Sequence, residues 1–352
     1  MTLLKLVYRL VACAVFLAAC VDPALLETEM IDPPVFVLQI PEREDAVAAA
    51  EPRPTATPFA APRPTATPFA TPTATPGSTR SRILLGLLPV GRVRPTATPV
   101  PQPTPDGEHR QVSVPMLMYH YIEEPPSNAD SIRFGLSVPP DLFATHLDLI
   151  QDLGFETISV RDVINHLALG TPLPPKPIVL TFDDGYANHF TNALPLLTER
   201  GMIGTFFVIS EFPHSGNPSY MTWDQIRQMV RAGMEIESHA RLHESLAGRS
   251  EAYLRNQARG GILTFEQELG YTPRVIAYPM GFYDQRVIDI FRDEGYWAGL
   301  TTQNGLLQDN RDPFRMWRIR MHPDMEAREL EWLLSEEGLA WLAGQQWVSG
   351  NQ

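Results

Sequence analysis

Beyond residue 112 the chain alternates short apolar runs with stretches of helical periodicity, and this alternation limits the fold more than any other feature. Residues 114–119, 157–160, 178–182, 204–209, 235–237, 275–278, 298–301 and 317–321 read as strands. Residues 141–153 are predicted to be helical, because Phe143, Leu147, Ile150 and Leu153 recur at helical spacing. A further helix over residues 223–232 is introduced by a capping box of Thr222 and Gln225 and stopped by Gly233. A C-terminal helix is expected after Asp324. Strands separated by helices pair in parallel, and about seven or eight such units predict an α/β fold, a distorted (β/α)7-8 barrel rather than an open sheet. Chemistry in such barrels sits where the strands end.

Three of those ends carry unusual residues. The run Pro177-Ile178-Val179-Leu180 finishes in Thr181-Phe182-Asp183-Asp184-Gly185. Two adjacent carboxylates at the end of a buried strand need something to stabilise their charge, a metal or work as acid and base. Side chains alternate along a strand, so the pair can face the barrel mouth together only where the strand gives way to the Gly185 turn. A plain Asp-Gly turn with solvated carboxylates is the alternative. Ser238-His239-Ala240-Arg241-Leu242-His243 follows another strand. Its i,i+4 histidines are expected on one face of a helical turn, which offers two nitrogens to one metal. Ala240 stands where a zinc-protease motif requires Glu, so that motif is excluded. Two nitrogens and one carboxylate leave coordination positions open, the pattern of a catalytic metal site. Tyr278-Pro279-Met280-Gly281 ends a third strand.

These residues resemble the polysaccharide deacetylase family, also called carbohydrate esterase family 4 or the NodB homology domain. Its Thr-Phe-Asp-Asp-Gly motif is intact at residues 181–185, and its His-x-x-x-His motif matches His239 and His243. Pro279-Met280-Gly281 looks like the third motif, and Gly204-Thr205-Phe206-Phe207-Val208 is similar to a neighbouring signature. The resemblance spans roughly residues 112–335. It implies a hydrolase that removes N-acetyl groups from N-acetylglucosamine units of a cell-surface or cell-wall polysaccharide. In that mechanism Asp183 is the general base, and Asp184, His239 and His243 hold a divalent metal. Zinc is usual, and cobalt, nickel or iron fit the same donors. The metal acidifies a water, Asp183 takes its proton, and the oxyanion is held by the metal and the Met280 backbone N–H. Tyr278 and Pro279 flank that donor.

Upstream, Pro115-Met116-Leu117-Met118-Tyr119-His120-Tyr121, then Leu136-Ser137-Val138 and Phe143, looks like the opening of the poly-N-acetylglucosamine deacetylase branch. That likeness implies that His120 lines the active site; a satisfied core histidine is the other reading. There are three departures from the family pattern. Ala277 stands where many members carry an Arg that orients the catalytic Asp, with Arg274 three residues earlier. The base is then expected to titrate higher or to be held by another group. The family's C-terminal general acid has one candidate, His322 in Arg320-Met321-His322-Pro323, which also reads as a surface residue. Met280 removes an aromatic surface on which a sugar could stack. An O-acetyl esterase on acetylated glycans and a glycan-binding pseudoenzyme are the alternative functions.

The N-terminus supplies a location. Residues 10–19 form an apolar stretch behind Lys5 and Arg9, shorter than the ~20 residues of a membrane-spanning helix and suited to a signal-peptide core. It ends in Leu17-Ala18-Ala19-Cys20, which resembles a bacterial lipobox. That implies a signal over residues 1–20, a lipidated Cys20 in the cell membrane, and an extracytoplasmic protein at the cell surface or in the periplasm. Loss of Cys13 with the signal would leave no pair of thiols for a disulfide. Residues 21–110 read as a disordered Pro/Thr/Ala-rich tether. In it Arg53-Pro54-Thr55-Ala56-Thr57-Pro58-Phe59-Ala60 recurs from Arg63, and an apolar island interrupts it at residues 83–90. The catalytic domain is assigned to residues 111–345. A net charge of −13 and the absence of a basic cluster exclude a nucleic-acid partner reached by general electrostatics. Nothing in the sequence sets an oligomeric state.

Overall fold

The computed structural model describes residues 103–349. The leader with Cys20, the repeats and the island at 83–90 lie outside the described residues. In chain order come strands β1 (Gln111–Ser113) and β2 (Met116–Tyr119), helices α1 (Ser131–Gly135) and α2 (Pro140–Asp152), β3 (Glu156–Thr157), α3 (Val160–Leu169) and β4 (Pro177–Phe182). Next are α4 (Leu194–Glu199), β5 (Thr205–Val208), α5 (Trp223–Arg231), β6 (Glu235–Ser238), α6 (Glu251–Leu269), β7 (Val275–Ala277) and α7 (Gln285–Asp293). The chain ends with β8 (Ala298–Asn304), β9 (Leu307–Asp309), β10 (Met316–Arg320), α8 (Ala327–Leu333) and α9 (Glu336–Ser349).

Seven strands, in the order β2, β10, β8, β7, β6, β5, β4, pair in parallel, and β4 returns to β2 to close a barrel. The period of two along each strand divides its side chains between two environments. Leu117, Tyr119, Ile178, Leu180, Phe182, Phe206, Val208, Ile236 and Ile319 face outward and pack in one cluster that includes Phe143 and Leu147 of α2 and Ile226 and Met229 of α5. Met116, Val179, Phe207, Val275, Ala277, Ala298, Leu300 and Met316 face inward, and they share a cluster with Val160, Val163, Ile164 and Leu167 of α3. Helix α3 therefore plugs the foot of the barrel, leaving the strand C-termini as its one open mouth. Each fully buried aliphatic side chain there contributes about 1.5–3 kcal/mol, so a charge at Val163 would unseat the plug.

The structure departs from the sequence reading where local capping wins. Residues 157–160 were expected to be extended, but β3 is only Glu156–Thr157. Ser159 and Asp162 form a reciprocal capping box that starts α3 at Val160, overriding the β-branched residues nearby. Pro115 donates no N–H, and β2 begins at Met116 rather than at residue 114. The single C-terminal helix is two helices, α8 and α9. The Thr222–Gln225 capping box forms as read. Strands β1 and β9 form a small antiparallel ribbon that the sequence did not disclose. Residues 106–110, at the end of the expected tether, dock on the plug: the Asp106 N–H donates to the Ala168 carbonyl, and Arg110 holds the Asp106 carboxylate in two hydrogen bonds.

Candidate active site

The barrel mouth is shaped by strained backbone. Among the described residues, only three non-glycine residues have left-handed φ: Asp184 at 77°, Ala240 at 60° and Met280 at 57°. They follow β4, β6 and β7, one at each of the three motif-bearing strand ends. Such a conformation costs roughly 1–2 kcal/mol per residue and persists where the surroundings enforce it. At β4 it solves the problem of adjacent aspartates. Asp183 continues the strand pairing, its N–H donating to the Tyr119 carbonyl, so it points inward. The chain then turns through Asp184 and Gly185 (φ 75°), and Asp184 also faces the mouth.

Asp184, His239 and His243 converge. Oδ1 of Asp184 lies 3.2 Å from Nε2 of each histidine. Yet this buried oxygen makes no hydrogen bond to either ring. The three donor atoms all lie within 4.8 Å of one another, and the two Oδ1–Nε2 separations approach the roughly 3.3–3.6 Å expected for tetrahedral zinc with ligands at about 2.0–2.2 Å, so the cluster fits a cation. His239 donates from Nδ1 to the Ala277 carbonyl at 2.8 Å, which leaves Nε2 free as an acceptor for metal. Burial pushes the Asp184 carboxyl up, but the two imidazoles outweigh it and hold it well below the usual carboxylate range. The His243 imidazole, lowered by burial, is raised overall by Asp184. The two histidines do not lie on a helical turn, contrary to expectation. Residues 239–246 form an irregular loop, and left-handed Ala240 gives the convergence that an i,i+4 helix would otherwise supply.

Sequence reasoning missed Arg318. Its guanidinium grips Asp183 with both nitrogens, Nη1 to Oδ1 at 2.7 Å and Nη2 to Oδ2 at 2.8 Å. Both side chains are buried, and Nε of Arg318 donates to the Thr301 carbonyl. The orienting guanidinium thus comes from β10 and not from the position of Ala277, whose carbonyl is instead the anchor of His239. Arg274 is not a substitute, since its side chain bonds the Gly295 carbonyl. Burial raises the Asp183 carboxyl, but Arg318 overcomes this and holds it below its ordinary value. The signal for Arg318 was strand parity: Met316, Arg318 and Arg320 occupy alternate positions of β10 and share the inward face.

The mouth opens into a cavity of about 700 Å³ whose lining includes His120, Asp183, Asp184, His239, His243 and Met280. His120 is buried at its base, and its Nδ1 has no hydrogen-bond partner. Burial holds its imidazole below the ordinary value, against the pull of Asp183 and Asp184. His322 is not among the cavity residues; it lies one residue past Met321, close enough to His146 for charge on one to act on the other. Tyr278 borders the cavity, but its ring is buried against Tyr283 and its hydroxyl donates to the Phe314 carbonyl. Pro279 is buried beneath the turn. Met280 is half-exposed there, and a Cβ on Gly281 would come within 2.2 Å of Thr302 Oγ1, so the turn admits only glycine at that point. Across the cavity α1 forms a wall: Arg133 stacks on the Tyr121 ring and pairs with Glu123.

Comparison with known proteins gives one consistent result. A family model described as polysaccharide deacetylase matches residues 170–299. The Bacillus subtilis protein YxkH, named for polysaccharide deacetylation, is 28% identical over 216 residues, covering 61% of this chain and 74% of that protein. A Staphylococcus epidermidis poly-beta-1,6-N-acetyl-D-glucosamine N-deacetylase is 24% identical over 56% of this chain and 72% of its own length. Among solved structures, the Streptococcus pyogenes deacetylase PplD in complex with acetate superposes with a TM-score of 0.60 at 27% identity, covering 64% of this chain and 100% of that one.

Proposed function

The chain belongs to the polysaccharide deacetylase family, and from that premise we propose that it removes N-acetyl groups from N-acetylglucosamine units of a cell-surface or cell-wall polysaccharide. One observation carries the reading: a metal-ready Asp-His-His cluster lies beside a second carboxylate that a buried arginine fixes in place. The Staphylococcus epidermidis relative supports an N-acetylglucosamine polymer as substrate. Location outside the cytoplasm, through a lipid on Cys20, belongs to the same proposal.

Asp184, His239 and His243 would hold the cation. When bound, a divalent ion, zinc by the donor set, supplies Lewis acidity toward the acetamide carbonyl and the attacking water. Asp183 accepts the proton of that water on a carboxylate oxygen. Arg318 keeps the carboxylate ionised and aimed, at the expense of some basicity, which matches a base whose partner is an acidified water. As the carbonyl becomes tetrahedral, the Met280 N–H is the donor assigned to its oxygen; the carbonyl three residues back, Ala277, is already engaged by His239. The leaving nitrogen needs a proton. We assign its delivery to His120, which lines the cavity; because burial disfavours its charged form, it would pass on the proton that Asp183 has taken from water, whereas His322 is not in the cavity lining. The products are acetate and a free amine.

The test is amine release from chito-oligosaccharides by the full chain with zinc or cobalt, beside acetate release from acetylated xylan. Amine release should vanish on chelation and fall by about 1,000-fold in Asp183→Asn. His120→Asn should cost about 100-fold and His322→Ala less than about 3-fold. Acetate from xylan without amine from any N-acetylated glycan would establish an O-acetyl esterase instead, and chelator-insensitive glycan binding without turnover would mark a pseudoenzyme.

A further inference from the structure

Arg320 follows Arg318 by two residues on β10, so both project to the inward face, one layer apart. The inner guanidinium is neutralised by Asp183. The outer one lines the catalytic cavity, and among the described residues no carboxylate lies within ion-pair distance of it. Its backbone N–H donates to Oδ1 of Asn304. The other arginine in the cavity lining, Arg133, is occupied by Glu123 and Tyr121. Arg320 is also partly buried, and burial together with the charge of Arg318 lowers its pKa, so the cation stands there unfavourably. A partly buried guanidinium in the cavity lining without a carboxylate at ion-pair distance is suited to pair with an anionic oxygen group.

Building on the deacetylase reading, we propose that Arg320 is a specificity-determining residue that binds an anionic substituent, a carboxylate or a phosphate, carried by the polysaccharide next to the N-acetyl group being removed. The site's own charges agree. Asp183 is cancelled by Arg318, Arg133 by Glu123, and Asp130 and Asp184 together would be cancelled by a divalent cation, so Arg320 leaves the cavity lining net positive. A uniformly neutral polymer would leave this cation unused. A second role is open to Arg320, since it also depresses the imidazole of nearby His120. That role would make no distinction between charged and neutral glycans.

The two roles separate in binding and turnover by the full chain, wild type and Arg320→Gln, with three tetrasaccharides of N-acetylglucosamine backbone. One is neutral, one bears lactyl ether carboxylates and one is 6-O-phosphorylated. Wild type should bind at least one charged tetrasaccharide about 10- to 100-fold more tightly than the neutral one, and Arg320→Gln should abolish that ratio while changing affinity for the neutral one less than about 2-fold. Arg320→Lys should restore part of the ratio, and melting temperatures should match. Which charged sugar shows the preference identifies the group. The proposal is overturned by the absence of any charge preference in wild type. It is equally overturned if the ratio survives in Arg320→Gln, including the case where only the pH profile of turnover moves, on all substrates alike. Lack of acetate release from all three would sink the deacetylase reading, while the binding ratio would still decide the role of Arg320.

Discussion

The two ends of the barrel interior bury acids beside arginine in different proportions. At the mouth, one aspartate meets one arginine in a closed two-pronged pair, Asp183 with Arg318. At the foot, two glutamates share one arginine: Arg161 reaches Glu237 at 2.8 Å and Glu235 at 3.3 Å. Glu237 also accepts the N–H groups of Arg274 and Val275, and Glu235 those of Val160 and the Thr205 hydroxyl. The difference appears in protonation. Asp183 is held below the ordinary carboxylate value, whereas burial first and then the charge of Glu237 push Glu235 up to about 7. Burial acts in the same direction at both ends. The ratio of acids to arginine decides the outcome, so the mouth keeps a committed anion and the foot keeps a proton-sharing joint beneath the plug helix.

The largest test of that contrast is Arg318→Met. It leaves Asp183 buried and unpaired, and should lower stability by about 3–5 kcal/mol and turnover at least about 100-fold, read by thermal melting and acetate release. Arg318→Lys should recover only part, because an ammonium cannot span both carboxylate oxygens. Retention of full activity in either variant would show that Asp183 needs no fixed partner. At the foot, Arg161→Met should cost about 2 kcal/mol at pH 8 and less at pH 6, where Glu235 takes up a proton, with turnover unchanged. Urea unfolding at the two pH values checks it, and a pH-independent loss would break the contrast.

The smallest effect is expected from Glu235→Gln. Its folded-state pKa of about 7 lies above the ordinary 4.5, so the folded state binds the extra proton. The stability this gives is whole below about pH 4.5 and is lost as pH rises through 7. Removing the carboxylate should therefore gain on the order of 1 kcal/mol over wild type at pH 8 and nothing at pH 4.5. Arg161, Glu237 and Tyr271 all face this group, and its neighbours on α3 and β5 contribute only hydrogen bonds. A variant less stable at pH 8 would mean that Glu235 is ionised in the fold.

Much of this architecture was legible because short-range rules dominate it. Apolar strands bounded by caps and turns located every barrel strand, and Asp183, Asp184, His239 and His243 were legible as motifs at strand ends. The illegible parts depend on distance or on backbone. Arg318 lies 135 residues from Asp183 in sequence, and no local pattern pairs them. The loop that joins His239 to His243 resembles a helical turn in spacing alone, since nothing announces left-handed Ala240. Parity was the unused resource. Glu235 and Glu237 alternate on β6 and His239 continues the spacing just past its end, which puts two acids and a candidate metal ligand on one inward face.

The docking of residues 106–110 on the plug helix bears on how the protein takes load. Tension applied to Asp106 meets the Asp106–Ala168 hydrogen bond and the Arg110 clamp first, then the β1–β9 ribbon. All of these sit at the closed end. The three strained loops that aim the reactive groups lie at the far end of the barrel, one strand length away. A pull on residues 106–110 is therefore expected to load the closed end of the barrel before the mouth.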